Sequence, residues 1–231
     1  MSDVTIAIVY STGRGHTRTV AEHIARGVAE VGGAKARLFE VTSAGIGVDG
    51  RWDDGQTMQA LSDADAIIFG SPTLMGSMSG LMKLFFEQAF ETWLVQGWKD
   101  KIAAGFTNSA SRSGDKLDTL VQMAVFAAQM GMVWVGVGDL PGGNRPDSTS
   151  NDVNHLGSWL GLMSQSPAGA DAEHAPSAGD RLTAERFGRR IARSTQRWMA
   201  RADAFPARRR SEAESARRDR EGLEAWRSFD D

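Results

Sequence analysis

The residues best placed to do chemistry sit near the N-terminus, in Tyr10-Ser11-Thr12-Gly13-Arg14-Gly15-His16-Thr17. Three hydroxyls surround two glycines, after an apolar β-branched run and before a stretch of helical spacing. Hydroxyls and backbone N–H groups at a helix start bind anions, because the helix dipole favours negative charge there. Each hydrogen bond to a charged group is worth about 1.5–3 kcal/mol, so about four or five hold a phosphate dianion without a lysine. Arg14 and Arg18 add charge. Three familiar phosphate devices are excluded. The dinucleotide fingerprint needs a third glycine where Arg18 stands. The Walker loop needs a GK[ST] ending, which is missing. A phosphoacceptor receiver needs acids at the strand end, and this strand ends Tyr10-Ser11-Thr12. Taken alone, the same residues also suit a capped strand-to-helix turn with no ligand.

Two more small polar stretches follow apolar runs: Ser71-Pro72-Thr73-Leu74-Met75-Gly76 and Asn108-Ser109-Ala110-Ser111-Arg112-Ser113-Gly114. They offer backbone donors and acceptors more than reactive side chains. There is no cysteine, so disulfides, thiolate nucleophiles and cysteine-ligated metals are excluded. The histidines are His16, His23, His155 and His174. His16 is read as a loop residue acting through its backbone, His23 as a surface residue, and His155 and His174 as residues of a long loop. None stands among clustered acids, so no metal site is expected, and no side chain is assigned as a catalytic nucleophile.

The elements that must carry these stretches can be read from periodicity. Val4–Tyr10, Lys35–Val41, Asp65–Gly70, Ile102–Thr107 and Met132–Val137 read as strands. From His16 to Val31, apolar residues recur at Val20, Ile24, Val28 and Val31, a single buried stripe ended by Gly32-Gly33. The stretch before Thr57 reads as largely unstructured, and the SPTLMGSMSG segment as a loop. Residues 81–93 read as one unusually apolar helix. Ser113 is expected to cap the next helix, with Asp115 in its first turn and Gly131 at its end. Arg181–Met199 reads as a final amphipathic helix. Strands alternating with helices predict an α/β fold: a doubly wound, five-stranded parallel sheet, flavodoxin-like, of order 2-1-3-4-5. Residues 1–200 read as one domain containing a long loop over 138–180, either functional or disordered. Residues 201–231 read as a charged tail, helical or partly disordered.

In that order the first, third and fourth strands are neighbours, so the three small polar loops converge at their carboxyl ends. One loop for a phosphate and two for a flat heterocycle are what a flavin mononucleotide site requires. The motifs YSTGRGHT, DAIIFGSPTLMGSMSG, WKDKIAAGFTNSASRSGDK, AAQMGMVWVG and LGSWLGLMSQS make the chain resemble the flavodoxin-like NAD(P)H:quinone oxidoreductases of WrbA type. The resemblance spans most of Val4 to Ala200. It implies FMN held noncovalently, with Thr12, Gly13, Arg14, Gly15, His16 and Thr17 on the phosphate. Pro72, Thr73, Leu74, Met75 and Gly76 would line the isoalloxazine, and Asn108, Ser109, Ala110, Ser111 and Gly114 would complete the ring and ribityl contacts. It implies hydride transfer from NADH or NADPH to the flavin, and from there to a quinone or similar small acceptor. Met75 stands where the family often has an aromatic, and Met130 where it often has a histidine. Most aromatics placed like Trp93 and Trp98 are core; the resemblance implies instead that one of them walls the flavin, and Trp159 is another candidate wall.

The apolar breadth of helix 81–93 predicts a buried helix or a subunit contact, and WrbA-type relatives are oligomers, so a homodimer or homotetramer is expected. The 26 basic and 29 acidic residues give a net charge of −3, so neither nucleic acid nor membrane is expected as a partner. No signal peptide or spanning segment is seen, which predicts a cytoplasmic protein. Two other readings share the fold: a flavodoxin-type electron carrier without its own reductase activity, and an interaction protein that has lost its flavin.

Overall fold

A computed structural model describes residues 3–204. Its sheet is built from β1 (Val4–Tyr10), β2 (Ala34–Glu40), β3 (Ala66–Leu74), β4 (Ser77–Met78), β5 (Ile102–Ser109), β6 (Val133–Trp134) and β7 (Leu162–Gln165). The helices are α1 (His16–Ala29), α2 (Gly55–Asp63), α3 (Gly80–Gln88), α4 (Phe90–Leu94), α5 (Lys116–Gln129) and α6 (Ala178–Ala204). The strands β2-β1-β3-β5 lie side by side in parallel, and both β6 and β7 pair with the outer edge of β5. The five-place order expected from the sequence holds, but its fifth place is divided. Val133 and Trp134 pair with Ile102 and Ala103 at one end of β5, while Leu162–Gln165 pair with Phe106–Ser109 at the other.

The strands read as apolar runs because helices cover both faces. On one face Ile6, Ile8 and Tyr10 pack with Val20, Ile24 and Val28 of α1 and Phe187 and Ile191 of α6. On the other Ala7, Val9 and Phe69 pack with Leu61, Met82, Phe85, Trp98 and Met123. The predicted stripe Val20, Ile24, Val28, Val31 is buried throughout. Where α1 meets α6 the backbones nearly touch. A Cβ on Gly27 would lie 1.9 Å from the Glu185 carbonyl oxygen, and one on Gly188 would lie 2.1 Å from that of Ile24. Only glycine permits that crossing.

Several expectations change. The final helix runs from Ala178 to Ala204, and the rest of the tail lies outside the described residues. The long loop is not structureless, since it returns to the sheet as β7. The apolar helix is two pieces, α3 and α4, broken at Ala89. Before α2, Ile46 bridges Trp52, which is buried. Ser113 is not the cap of α5. Asp115 holds that position at φ 54 without a side-chain cap bond, and Ser113 instead accepts the Lys116 N–H at its carbonyl. Gly131 does follow α5 with φ +72, as its C-terminal place predicted. His23 is not a surface residue. It is buried between α1 and α6, with Nδ1 2.9 Å from Glu185 Oε1.

Candidate functional site

The doubly wound order brings the three polar stretches together. Tyr10 of β1 is level with Gly70 of β3, and Pro72 of β3 is level with Asn108 of β5. All three strands therefore release their loops at one edge, where such sheets bind ligands.

The first loop feeds α1 through Gly15, which sits in the left-handed region at φ 89. Thr12 Oγ1 accepts the Gly15 N–H at 3.1 Å and fixes the turn. The first bond of the helix ladder runs from Thr19 N–H to the Gly15 carbonyl. The N–H groups of Gly13, Arg14, His16, Thr17 and Arg18 make no hydrogen bond among the described residues. A Cβ on Gly13 would meet nothing within 4 Å, so the loop is open on that side. Thr17 is 2% exposed, and its hydroxyl likewise has no partner among the described residues. Arg14 points to solvent. Arg18 is committed elsewhere, donating twice to Glu40, which also accepts the Tyr10 hydroxyl. Burial, then the Glu40 charge, pushes the Tyr10 phenol up to about 12. The His16 ring is engaged, with Nε2 3.0 Å from the Ala170 carbonyl. With the Thr19 hydroxyl bond to Ala172, that contact lays residues 170–172 over the loop.

The second stretch is not a loop throughout. β3 continues to Leu74, and a tight hairpin at Met75 (φ 50) and Gly76 (φ 80) reverses it into β4. Two left-handed residues in succession make a turn of the I′ kind, which costs a methionine more than a glycine. Leu74 and Met75 are exposed and Pro72 is half-buried, whereas Thr73 is buried. The Thr73 hydroxyl lies 2.8 Å from those of both Thr107 and Thr119. A second hydroxyl cluster, missed in the sequence, ties the first stretch to this one. Ser79 Oγ lies 2.6 Å from Ser11 Oγ, and Ser71 Oγ accepts the Ser79 N–H. The Ser79 hydroxyl also caps α3, which was its visible signal.

The third stretch is braced by β7. Asn108 is buried, and its Oδ1 accepts from Ser164 and Ser166 at 2.9 and 3.0 Å. The Ala110 carbonyl accepts from the Gln165 amide. Ser109 Oγ donates to the Ser111 carbonyl, and Gly114 folds back so closely that a Cβ there would lie 2.3 Å from Ser109 Oγ. Lys116 reaches back beneath this turn. The structure therefore gathers the predicted first, second and third stretches at one edge.

It does not gather the predicted tryptophans equally. Trp98 is core, fully buried against Phe69 and Phe85, with its indole N–H on Ser62. Trp159 is exposed. Trp93 and Met130 line a separate groove of about 1070 Å³, between α3–α4 and α5, with Trp52, Phe86, Phe90 and Phe126. This groove is formed by side chains other than those of the three loops. His174 is exposed and paired with Asp171, while His155 is nearly buried beside Asp180. Among the described residues, no group of histidines and acids could hold a metal, and no helix is long and apolar enough to cross a membrane.

Residues 4–146 match the family model described as NADPH-dependent FMN reductase. Flavodoxin FldP of Pseudomonas aeruginosa is 40% identical over 193 residues, which are 84% of this chain and 97% of that protein. An NAD(P)H dehydrogenase (quinone) of Geobacter sulfurreducens is 32% identical over 201 residues, covering 81% and 95%. Among solved structures, a WrbA-like flavodoxin protein from Agrobacterium tumefaciens superposes with a TM-score of 0.63 at 34% identity, over 84% of this chain and 98% of that one. The chain belongs to the NADPH-dependent FMN reductase family.

Proposed function

We propose that the protein is an FMN-dependent oxidoreductase that takes electrons from NADH or NADPH and delivers them to a quinone or similar small acceptor. The observation that carries this reading is the first loop. At the start of a 14-residue helix, a row of N–H groups and the Thr17 hydroxyl have no partner among the described residues, and the loop is open at Gly13. That donor set fits a phosphate dianion and leaves little reason for itself without one.

Thr12, Gly13, Arg14, Gly15, His16 and Thr17 hold the phosphate, chiefly through backbone N–H groups and the Thr17 hydroxyl. Pro72, Thr73, Leu74, Met75 and Gly76 line the isoalloxazine. Asn108, Ser109, Ala110, Ser111 and Gly114 complete the ring and ribityl contacts. When bound, FMN supplies the redox chemistry, exchanging two electrons between a reduced nicotinamide and a quinone. The chain's own residues bind, orient and shelter. Residues 170–172 cover the phosphate end, the hydroxyl clusters hold the loops in register, and the exposed Leu74 and Met75 offer apolar surface at the open rim.

The flavodoxin name of the 40% identical relative favours a second reading, an electron carrier. Two measurements separate them. The purified protein is expected to be yellow, to release FMN on denaturation, and to oxidise NADH or NADPH with benzoquinone. Yellow protein without that turnover is the carrier; colourless protein that takes up no FMN defeats both readings.

A homodimer or homotetramer also belongs to this reading. Phe90, Val121 and Val125 are exposed along the groove between α3–α4 and α5, and a second copy would remove them from water. Light scattering after size exclusion at micromolar concentration is expected to give at least twice 24.9 kDa, and a monomer refutes it. A cytoplasmic setting completes the reading.

A further inference from the structure

Lysine is among the residues least often fully buried, yet Lys116 is completely buried in the first turn of α5. Its Nζ donates to the Ser111 carbonyl at 2.7 Å and to Ser109 Oγ at 3.0 Å, both neutral oxygens. No acid lies within ion-pair distance of it among the described residues. A buried ammonium costs several kcal/mol even after relaxation, and apolar side chains of similar volume are often as stabilising or more so. Packing alone therefore does not explain it.

The atoms it grips are those of the third loop. The loop is closed there by the tight approach of Gly114 to Ser109 and by the Gln165 bond to Ala110. Gln165 is held in turn through its backbone N–H, which donates to Asp180 Oδ2 at 2.9 Å. Asp180 is buried at the start of α6, and its other oxygen lies 3.1 Å from His155 Nε2, off the line of a hydrogen bond. The carboxylate that fixes β7 is thus also the acid whose field reaches Lys116.

Resting on the FMN reading above, we propose that Lys116 is a positioning residue of the flavin site: its ammonium clasps the 109–111 turn from beneath, shaping it for the cofactor. The same fixed positive charge behind the turn favours the reduced, more negative flavin over the oxidised one. Burial lowers the Lys116 ammonium to about 8, and the Asp180 charge opposes that fall. The charge is present at pH 7 and fades as pH rises through 8. The charged groups around it are Asp180 from α6, with His155 against Asp180, and the exposed Arg112, Asp115 and Asp118 of its own loop and helix.

The test uses the full chain and two readouts that need no turnover: FMN affinity by fluorescence titration, and the two-electron midpoint potential of the bound flavin by dye equilibration. Lys116→Met is expected to keep its circular dichroism. It should lose roughly tenfold in FMN affinity and a further tenfold in preference for the reduced form, equivalent to about 30 mV. Lys116→Arg restores most of the potential. In wild type the potential relative to free FMN falls between pH 7 and 9. This step moves to lower pH in Asp180→Asn and is absent in Lys116→Met. A Lys116→Met protein with wild-type affinity and potential overturns the proposal while leaving the FMN reading intact. Wild-type protein that takes up no FMN overturns both. Should Lys116→Met fail to fold, the wild-type titration decides, and a potential that tracks free FMN across pH 8 refutes the assignment.

Discussion

Replacing Thr17 by valine isolates one atom group in the phosphate loop. Valine has threonine's shape, and the lost hydroxyl has no partner among the described residues, so nothing buried is left unsatisfied in the protein. Folding stability is therefore expected to stay within about 0.5 kcal/mol of wild type. If the hydroxyl donates to a phosphate dianion, its loss removes one hydrogen bond to a charged group, about 1.5–3 kcal/mol. That converts to a roughly 10- to 150-fold rise in the FMN dissociation constant. The assay is quenching of flavin fluorescence on titrating apoprotein, with riboflavin as the control ligand. Riboflavin carries the same ring and ribityl chain without the phosphate, so its affinity should not change. An unchanged FMN affinity, or equal losses for FMN and riboflavin, shows that the hydroxyl does not meet the phosphate and that the first loop has been misassigned.

Two further outcomes test the frame around the site. Gly27→Ala drives a methyl into the Glu185 carbonyl, so α1 and α6 must separate; the expected loss is about 1–3 kcal/mol or more by denaturant melt, and an unchanged midpoint refutes the close crossing. Tyr10 is the sole tyrosine, so ultraviolet absorbance reports its ionisation directly. The phenol should titrate near 12, against about 10 for a free one. Because the folded value is the higher, this contribution to stability is full below pH 10 and is lost as pH climbs toward 12. An inflection at 10 in folded protein refutes the burial of the phenol beside Glu40.

The alternating strands and helices were legible because parallel strands buried on both faces are nearly continuous apolar runs, as in Val4–Tyr10 and Asp65–Gly70. The edge strand β2 was fainter for the matching reason: Lys35, Arg37 and Leu38 face solvent. What escaped notice was held by partners remote in sequence. β7 is four residues, Leu-Met-Ser-Gln, with no period to mark it. It exists because Phe106–Ser109 offers a free edge and Asp180 takes its last N–H. His23, off the apolar stripe of α1, looked solvent-facing, and Glu185, 162 positions away, makes it a buried pair.

The same distinction separates the visible from the hidden parts of the candidate site. Hydroxyls and glycines that shape a turn act within a few residues, so the stretches that hold Thr12, Gly15, Met75-Gly76 and Gly114 could be marked as small polar loops. Residues that set the charge and rigidity of those turns act across the fold. A lysine after a glycine-rich loop reads as a solvated helix start, and nothing nearby in sequence says otherwise. It lies buried beneath a third loop that β7 and the start of α6 brace from across the fold, through the Gln165 bonds to Ala110 and Asp180. On the Lys116 proposal, the connection between β6 and β7 bears on flavin chemistry through β7. Substitutions within it that loosen β7 should act on the potential and affinity of the cofactor before they act on the stability of the sheet.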